Sequence, residues 1–357
     1  MLRGFCALFV LFNHSYGWLQ NNYVQSDLGK RLFAPAFVGV DVFFVLSGFI
    51  ISYVTAVSSQ QKVAPFLVKR FFRLMPLAWA VLILYGFAKG NSVSDLLSNS
   101  NFIKSLFLLP VGNSAPPSFG YSYLNVLWTL TYEVLFYIIF AFSMCVSKKY
   151  RSAVCTLGIL IFYFTIQFTF QGHLSLNTHS PMEVTGFGWL NGLVGCLGNP
   201  MMFYFVIGMF SAEIFNILPN RKIEHIEYLS IILLLFAISS LWMVVIPYNR
   251  FITIGGFATL IMWALLILEK WGDPRPPKIF VYFGSLTFSL YLVHVLVMEF
   301  FYLRRLPELT FFYARFSGFP KLIFYTTLSV VFSIVFYQII EKPSISLGRR
   351  VLSRYFR

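Results

Sequence analysis

Two ionisable residues in the first apolar segment are spaced so that they could act together. Arg3 and His14 are 11 positions apart, which is about three turns of an α-helix, so they differ by only about 20° around its axis. A helix would separate them by about 16 Å along one face. An arginine below a titratable base suits a long, thin, anionic ligand. Alternatively, Arg3 extends to the lipid headgroups and His14 is a hydrogen-bonded packing residue.

A basic cluster follows in the string VKRFFRLMP, which contains Lys69, Arg70 and Arg73. Arg70 and Arg73 are three positions apart and would be neighbours on one helical face. Guanidinium groups bind phosphate oxygens through paired hydrogen bonds, so the spacing favours a phosphate site. The same cluster is also typical of the positive charge that membrane proteins carry on their cytoplasmic side.

Four more polar residues lie in apolar segments, where ionisable groups are costly and often functional. We predict that Glu133, in LWTLTYEVLFY, pairs with an arginine or orients His14 through one imidazole nitrogen. Bonds to neighbouring Tyr and Thr hydroxyls are the alternative. Asp41 and His294 are expected either to bind substrate or to hold helices together. Glu341, in IIEKP, is expected to cap the last helix and pair with nearby arginines.

The composition identifies lipid as the solvent. The chain has 357 residues, of which 58% are hydrophobic and 11% are charged, whereas about a quarter of the residues in a soluble domain are charged. The four cysteines are scattered and form no CxxC pair, which argues against a disulfide-stapled module. The sequence also contains no Cys/His spacing typical of a metal site, so we expect no metal.

Apolar segments predict an all-α, polytopic membrane protein with about ten transmembrane helices. A helix needs about 20 apolar residues to cross a bilayer. The predicted spans are Leu2 to Leu19, Ala36 to Val57, Leu74 to Ala88, Leu124 to Val146, Ala153 to Phe170, Pro200 to Leu218, Ile226 to Ile246, Phe251 to Glu269, Ile279 to Leu303 and Lys321 to Ile340.

The distribution of charge predicts the orientation of these helices. The net charge is +14. When successive loops are assigned to opposite sides of the membrane, about two thirds of the Lys and Arg residues lie on the side of the N-terminus. Cytoplasmic loops typically carry such an excess of Lys and Arg. We therefore predict that both termini are cytoplasmic and that the positive charge reflects topology, so that no nucleic acid is bound. The expected location is the plasma membrane, as a bacterial inner membrane. Residues 342–357 form a basic tail that anionic lipids would attract.

Six strings, in order and spacing, resemble acyltransferase family 3 over almost the whole chain. They are LRGFCALFVLFNHS, GVDVFFVLSGFII, KRFFRLMP, LWTLTYEVLFYIIFA, SLTFSLYLVH and IIEKP. The resemblance implies a transmembrane acyltransferase domain, here residues 1–341, an acyl-CoA donor from the cytoplasm and a carbohydrate hydroxyl as acceptor. It also implies functional roles for Arg3, His14, Arg70 and Arg73. The string WTLTYEVLFY is most similar to the branch associated with exopolysaccharide production.

The resemblance favours an O-acetyltransferase that uses acetyl-CoA to modify a surface or exported polysaccharide or its lipid-linked precursor. Arg70 and Arg73, with Lys69, would hold the CoA phosphates, and Arg3 is a further donor-binding residue. His14 would accept the proton of the attacking hydroxyl, with Glu133 orienting it. The sequence leaves open whether the acetyl group passes directly to the sugar or through an acyl-histidine.

Two other functions fit ten spans with charges inside the membrane. One is a transporter or flippase of a lipid-linked sugar or small anion, although the sequence lacks the internal repeats of many secondary transporters. The other is a membrane glycosyltransferase, for which Asp41 alone would supply the acidic residue. The expected partners are a glycan acceptor and membrane lipids, with polysaccharide-assembly proteins or a second copy of the chain as further candidates.

Overall fold

The computed structural model describes residues 1–57, 62–243, 249–272, 274–302 and 315–355, and no residue in these ranges is in a β-strand. The first eight α-helices are α1 (Leu2–Ser15), α2 (Leu28–Phe33), α3 (Val38–Val57), α4 (Val63–Ala88), α5 (Val93–Ser98), α6 (Ser100–Leu106), α7 (Trp128–Val146) and α8 (Arg151–Gln171). They are followed by α9 (Asn191–Leu197), α10 (Met202–Ile217), α11 (Ile226–Met243), α12 (Arg250–Trp271), α13 (Lys278–Ser285), α14 (Thr287–Tyr302), α15 (Gly318–Phe336) and α16 (Lys342–Tyr355).

Many of the helices are long and apolar enough to cross a bilayer. Among the described residues there are seven such spans, or up to nine if the bent pairs α9–α10 and α13–α14 each cross as one. The first of the ten predicted spans falls on α1, whose 14 residues rise about 21 Å, less than the roughly 30 Å of a bilayer core. The count of ten and the cytoplasmic termini therefore stay predictions. The ends of two predicted spans, Ile246 and Leu303, lie outside the described residues.

Two predicted spans differ from the structure. The helix expected to begin at Leu74 begins at Val63. Its first turns contain the basic cluster, so the helix extends on the N-terminal side of the predicted apolar stretch. The span predicted from Ile279 is broken, since α13 and α14 meet at an angle of 63°. The break follows Gly284 and Ser285, a residue pair that commonly kinks helices.

Close contact between α3 and α10 forms the centre of the bundle. A Cβ atom added to Gly48 would lie 2.2 Å from the carbonyl oxygen of Phe205, and one added to Gly208 would lie 2.0 Å from that of Val45. Only glycine lets the two backbones approach this closely. The fully buried rings of Phe205 and Phe136 stack beside this crossing with their centroids 4.4 Å apart, which packs α7 against the pair.

Residues 342–355 of the predicted basic tail form the helix α16. A π-helical turn, Tyr337–Glu341, joins α15 to α16. Gly348 of α16 is buried against α4, where a Cβ atom would meet the Cβ of Phe72 at 2.9 Å. The basic tail is therefore packed on the protein at the same end of the bundle as the basic cluster of α4. The last two residues of the predicted tail, 356 and 357, lie outside the described residues.

Candidate active site

A pair of histidines joins the first helix to α14. His14, near the end of α1, lies with its Nδ1 2.9 Å from Nε2 of His294, and the two rings stack with their centroids 5.1 Å apart. His294 is fully buried, whereas His14 is exposed. One edge of the His14 ring is therefore held by the protein, while other atoms of the residue stay exposed.

The hydrogen bonds of this pair determine which nitrogen of His14 can act as a base. His294 Nδ1 lies 3.0 Å from the carbonyl oxygen of Leu290, and a carbonyl can only accept, so Nδ1 carries the proton. A neutral imidazole has one donor and one acceptor, so Nε2 of His294 accepts from Nδ1 of His14. The lone pair of His14 Nε2 is then free to accept a proton.

The sequence left open whether Glu133 orients His14 or pairs with an arginine, and in the structure the ring of His14 contacts His294. Glu133 instead accepts hydrogen bonds from Ser47 Oγ, at 3.2 Å, and from the hydroxyl of Tyr137. The contact with Tyr137 matches the alternative that the sequence left open, whereas the second hydroxyl comes from a serine of α3 and not from a neighbouring threonine. His14 and His294 are 280 positions apart, and no local spacing could have paired them.

Arg3 and Glu133 line one cavity within the bundle. This central cavity has an empty volume of 420 Å³, and Ser47, Thr129 and Tyr291 also contribute to its wall. Glu133 lies close enough to attract Arg3 electrostatically. The Nε of Arg3 is buried and has no hydrogen-bond partner among the described residues, so the guanidinium keeps a free donor.

Tyr291 connects the central cavity to the histidine pair. Its hydroxyl lies 2.7 Å from Thr129 Oγ1 of α7, and its ring centroid is 6.2 Å from that of His294. Arg3 and His14 lie on the single helix α1, and Ala7, Val10 and Leu11 between them are buried. The predicted arrangement of an arginine and a histidine along one helix is thus present, with a cavity beside the arginine.

A second, basic cavity lies at the start of α4. It has an empty volume of 710 Å³, and Lys69, Arg70, Arg73 and, from α16, Arg349 supply its cationic wall. Sequence reasoning missed Arg349, which it counted only as part of the basic tail. Four cations around one space favour an anionic ligand.

Contacts between α4 and α7 link the walls of the two cavities. The guanidinium of Arg70 lies 5.4 Å from the ring centroid of Phe66 and 5.5 Å from that of Tyr137, while the Tyr137 hydroxyl donates to Glu133. Arg70 and Arg73 are also near enough to repel Arg3 electrostatically. The predicted cations Arg3, Arg70 and Arg73 are therefore neighbours at one end of the bundle, which we call the basic end.

Glu341 is buried at this end, in the π-helical turn before α16. It accepts a hydrogen bond of 2.6 Å from Ser289 of α14, and it attracts Arg73 and Arg3 electrostatically. The expected association with arginines is present at longer range, while the direct hydrogen bond goes to a serine. Glu341 thereby connects α14 to the last helices.

Asp41 holds helices together. Its fully buried carboxylate lies 3.0 Å from the guanidinium of Arg250, which connects α3 to α12. Arg250 also lies over the ring of Phe37, 4.6 Å from its centroid. This ion pair matches the structural interpretation of Asp41 that the sequence left open beside a substrate role.

Comparisons with known proteins identify the family. A model described as an acyltransferase domain matches residues 1–338. The exopolysaccharide production protein ExoZ of Rhizobium meliloti (strain 1021) is 27% identical over 326 residues, which cover 87% of this chain and 90% of that protein. A Staphylococcus aureus (strain COL) protein provisionally named an O-acetyltransferase is 22% identical, over 91% of this chain and 55% of its own length.

A protein of Acidianus two-tailed virus provisionally named an acetyltransferase is 25% identical, over 84% of this chain and 82% of its own length. The comparison with solved structures gave no match. The chain spans about half the length of the staphylococcal relative and most of the other two. Because the family model covers nearly all of it, the chain belongs to acyltransferase family 3 and is a multi-pass membrane acyltransferase.

Proposed function

We propose that the protein is an O-acetyltransferase that transfers an acetyl group from cytoplasmic acetyl-CoA to a hydroxyl of a surface or exported polysaccharide, or of its lipid-linked precursor. The names of the relatives support this acceptor and this reaction. The observation that carries the proposal is the histidine pair, which leaves His14 Nε2 as a free base on the same helix as Arg3.

The donor would bind with its phosphates at the basic end. Arg70 and Arg73 offer guanidinium donors for phosphate oxygens, and Lys69 adds a cation at the same cavity. The free Nε of Arg3 would bind the donor between this cavity and His14. Glu133 would position Arg3 by charge attraction, rather than orient His14.

The acetyl group would then react beside His14. Nε2 of His14 removes the proton of the acceptor hydroxyl as its oxygen attacks the thioester carbonyl carbon. The tetrahedral intermediate collapses, the carbon–sulfur bond breaks, and the thiolate of CoA leaves and takes up the proton from His14. During this step His14 is cationic, and its Nδ1–H donates to His294, which stabilises the charge.

The test uses the full chain in lipid nanodiscs with radiolabelled acetyl-CoA and an exported polysaccharide as acceptor. We expect His14→Ala to abolish transfer to the polysaccharide while CoA still binds, because His14 acts on the proton and not on the phosphates. His173→Ala, in an exposed loop, is the matched control and should retain wild-type turnover. Unchanged turnover in His14→Ala would remove this residue from the mechanism.

A further inference from the structure

The basic cavity is completed by a helix outside the matched family domain. The match ends at residue 338, and α16 begins at Lys342. We propose that Arg349 of α16 is a donor-binding residue, which binds the nucleotide phosphates of acyl-CoA together with Arg70 and Arg73. This inference rests on the proposed function and adds a binding residue to it.

The charge around the cavity supports an anionic ligand. Three cations come from α4 and one from α16, and no carboxylate is among the described residues of the wall. The Nε of Arg70 is buried there without a hydrogen-bond partner in the described part of the chain. Gathering four like charges is unfavourable unless a counter-charge joins them, and a nucleotide with several phosphates supplies one.

The packing of α16 determines which of its arginines reaches the cavity. Gly348 and Arg349 follow Ile345 by three and four positions, which places each of them beside Ile345 on the helix surface, and all three line the cavity. The close approach of Gly348 to Phe72 holds this face against α4. Arg350 is about 100° further around the helix and is not among the residues that line the cavity.

Anionic lipid headgroups are a competing ligand for the positive charge of α16. Attraction by a charged membrane surface depends on the number of basic residues near it and falls off over a Debye length, which is longer than the distance between neighbouring positions of a helix. Arg349 and Arg350 are both exposed, so a lipid role alone predicts that they contribute equally. A donor-binding role predicts that only Arg349 matters for the donor.

The experiment compares Arg349→Gln with its matched control, Arg350→Gln, in nanodiscs of one lipid composition. We expect Arg349→Gln to raise the KM for acetyl-CoA by about tenfold, as for the loss of one charge-assisted hydrogen bond, with kcat little changed. Arg350→Gln should behave as wild type. With acetyl-pantetheine, which lacks the nucleotide phosphates, the two variants should have the same KM as wild type.

Equal KM values for acetyl-CoA in the two variants would overturn the role of Arg349 and favour lipid binding. A rise that also occurs with acetyl-pantetheine would overturn the assignment to the nucleotide phosphates. A wild-type protein that neither binds nor uses acetyl-CoA would refute the proposed function and this inference together. Failure of this inference alone can therefore be distinguished from failure of the proposed function, because in the first case the wild-type protein still uses acetyl-CoA.

A second variant tests the docking of α16 itself. Gly348→Val places side-chain atoms where Phe72 already lies and should move α16 away from α4. We expect this variant to raise the KM for acetyl-CoA as Arg349→Gln does, while size-exclusion chromatography shows an intact, monodisperse protein. An unchanged KM in Gly348→Val would contradict the requirement for a docked helix.

Discussion

Replacing His294 by leucine or glutamine tests whether it positions the base. Leucine fills much of the buried space but offers no acceptor to His14 Nδ1, which lies 2.9 Å from the present Nε2. Glutamine can place its amide oxygen near the position of Nε2 and keep an acceptor there. The two variants thus differ mainly in the hydrogen bond that we assign to catalysis.

The magnitude follows from the charge that His14 acquires during transfer. In the proposed mechanism His14 gains a proton in the transition state, and its bond to His294 becomes a hydrogen bond from a charged group, which contributes about 1.5–3 kcal/mol. Losing this contribution slows the reaction by roughly 10- to 200-fold. We therefore expect His294→Leu to lower kcat by about that factor and His294→Gln to recover a substantial part of the loss.

The assay is steady-state acetyl transfer in nanodiscs, with the amount of folded protein measured for each variant. The KM for acetyl-CoA should change by less than about twofold, since His294 does not contact the phosphates in the proposed mechanism. Wild-type kcat in His294→Leu would refute the positioning role. Equal losses in the leucine and glutamine variants would show that His294 matters only for packing.

Three further predictions concern the donor site and the packing of the bundle. Arg70→Lys combined with Arg73→Lys should keep the charge needed for insertion but raise the KM for acetyl-CoA by about tenfold, because an ammonium group cannot form the paired bonds of a guanidinium. A wild-type KM in the double variant would mean that the pair has only a topological role. Asp41→Asn should lower stability by about 3–5 kcal/mol, measured by reversible unfolding in detergent, because it leaves a buried arginine without its counter-charge. Gly208→Ala should lower the Tm, since its Cβ would lie 2.0 Å from a backbone oxygen, whereas Gly256→Ala, with nothing within 4 Å of its added Cβ, should not.

The sequence predicted well those features that depend on local composition and spacing. The length of apolar segments locates most of the helices, since a bilayer requires a long uninterrupted apolar stretch. Arg3 and His14 lie on one helix as their spacing predicts, and Arg70 and Arg73 line one cavity. These features follow from helical periodicity, which can be recognised within one continuous segment of the sequence.

The features that the sequence did not predict depend on how distant helices pack. The bond between His14 and His294 requires α1 and α14 to meet, and no pattern in either segment encodes this contact. The break before α14 does not change the mean hydropathy of the segment, so a search for long apolar stretches predicts one continuous helix there. The charge of Arg349 is visible in the sequence, but its place in the basic cavity depends on the packing of α16 against α4.

The 280 positions between the two histidines have a consequence for the biosynthesis of the enzyme. Ribosomes add about 5–20 residues per second, so His294 is made roughly 15–60 s after His14. Throughout this interval His14 lacks the hydrogen-bond partner that selects its tautomer. In the mechanism that we propose, a nascent chain therefore lacks an oriented base until α14 has been made, which is after most of the other helices.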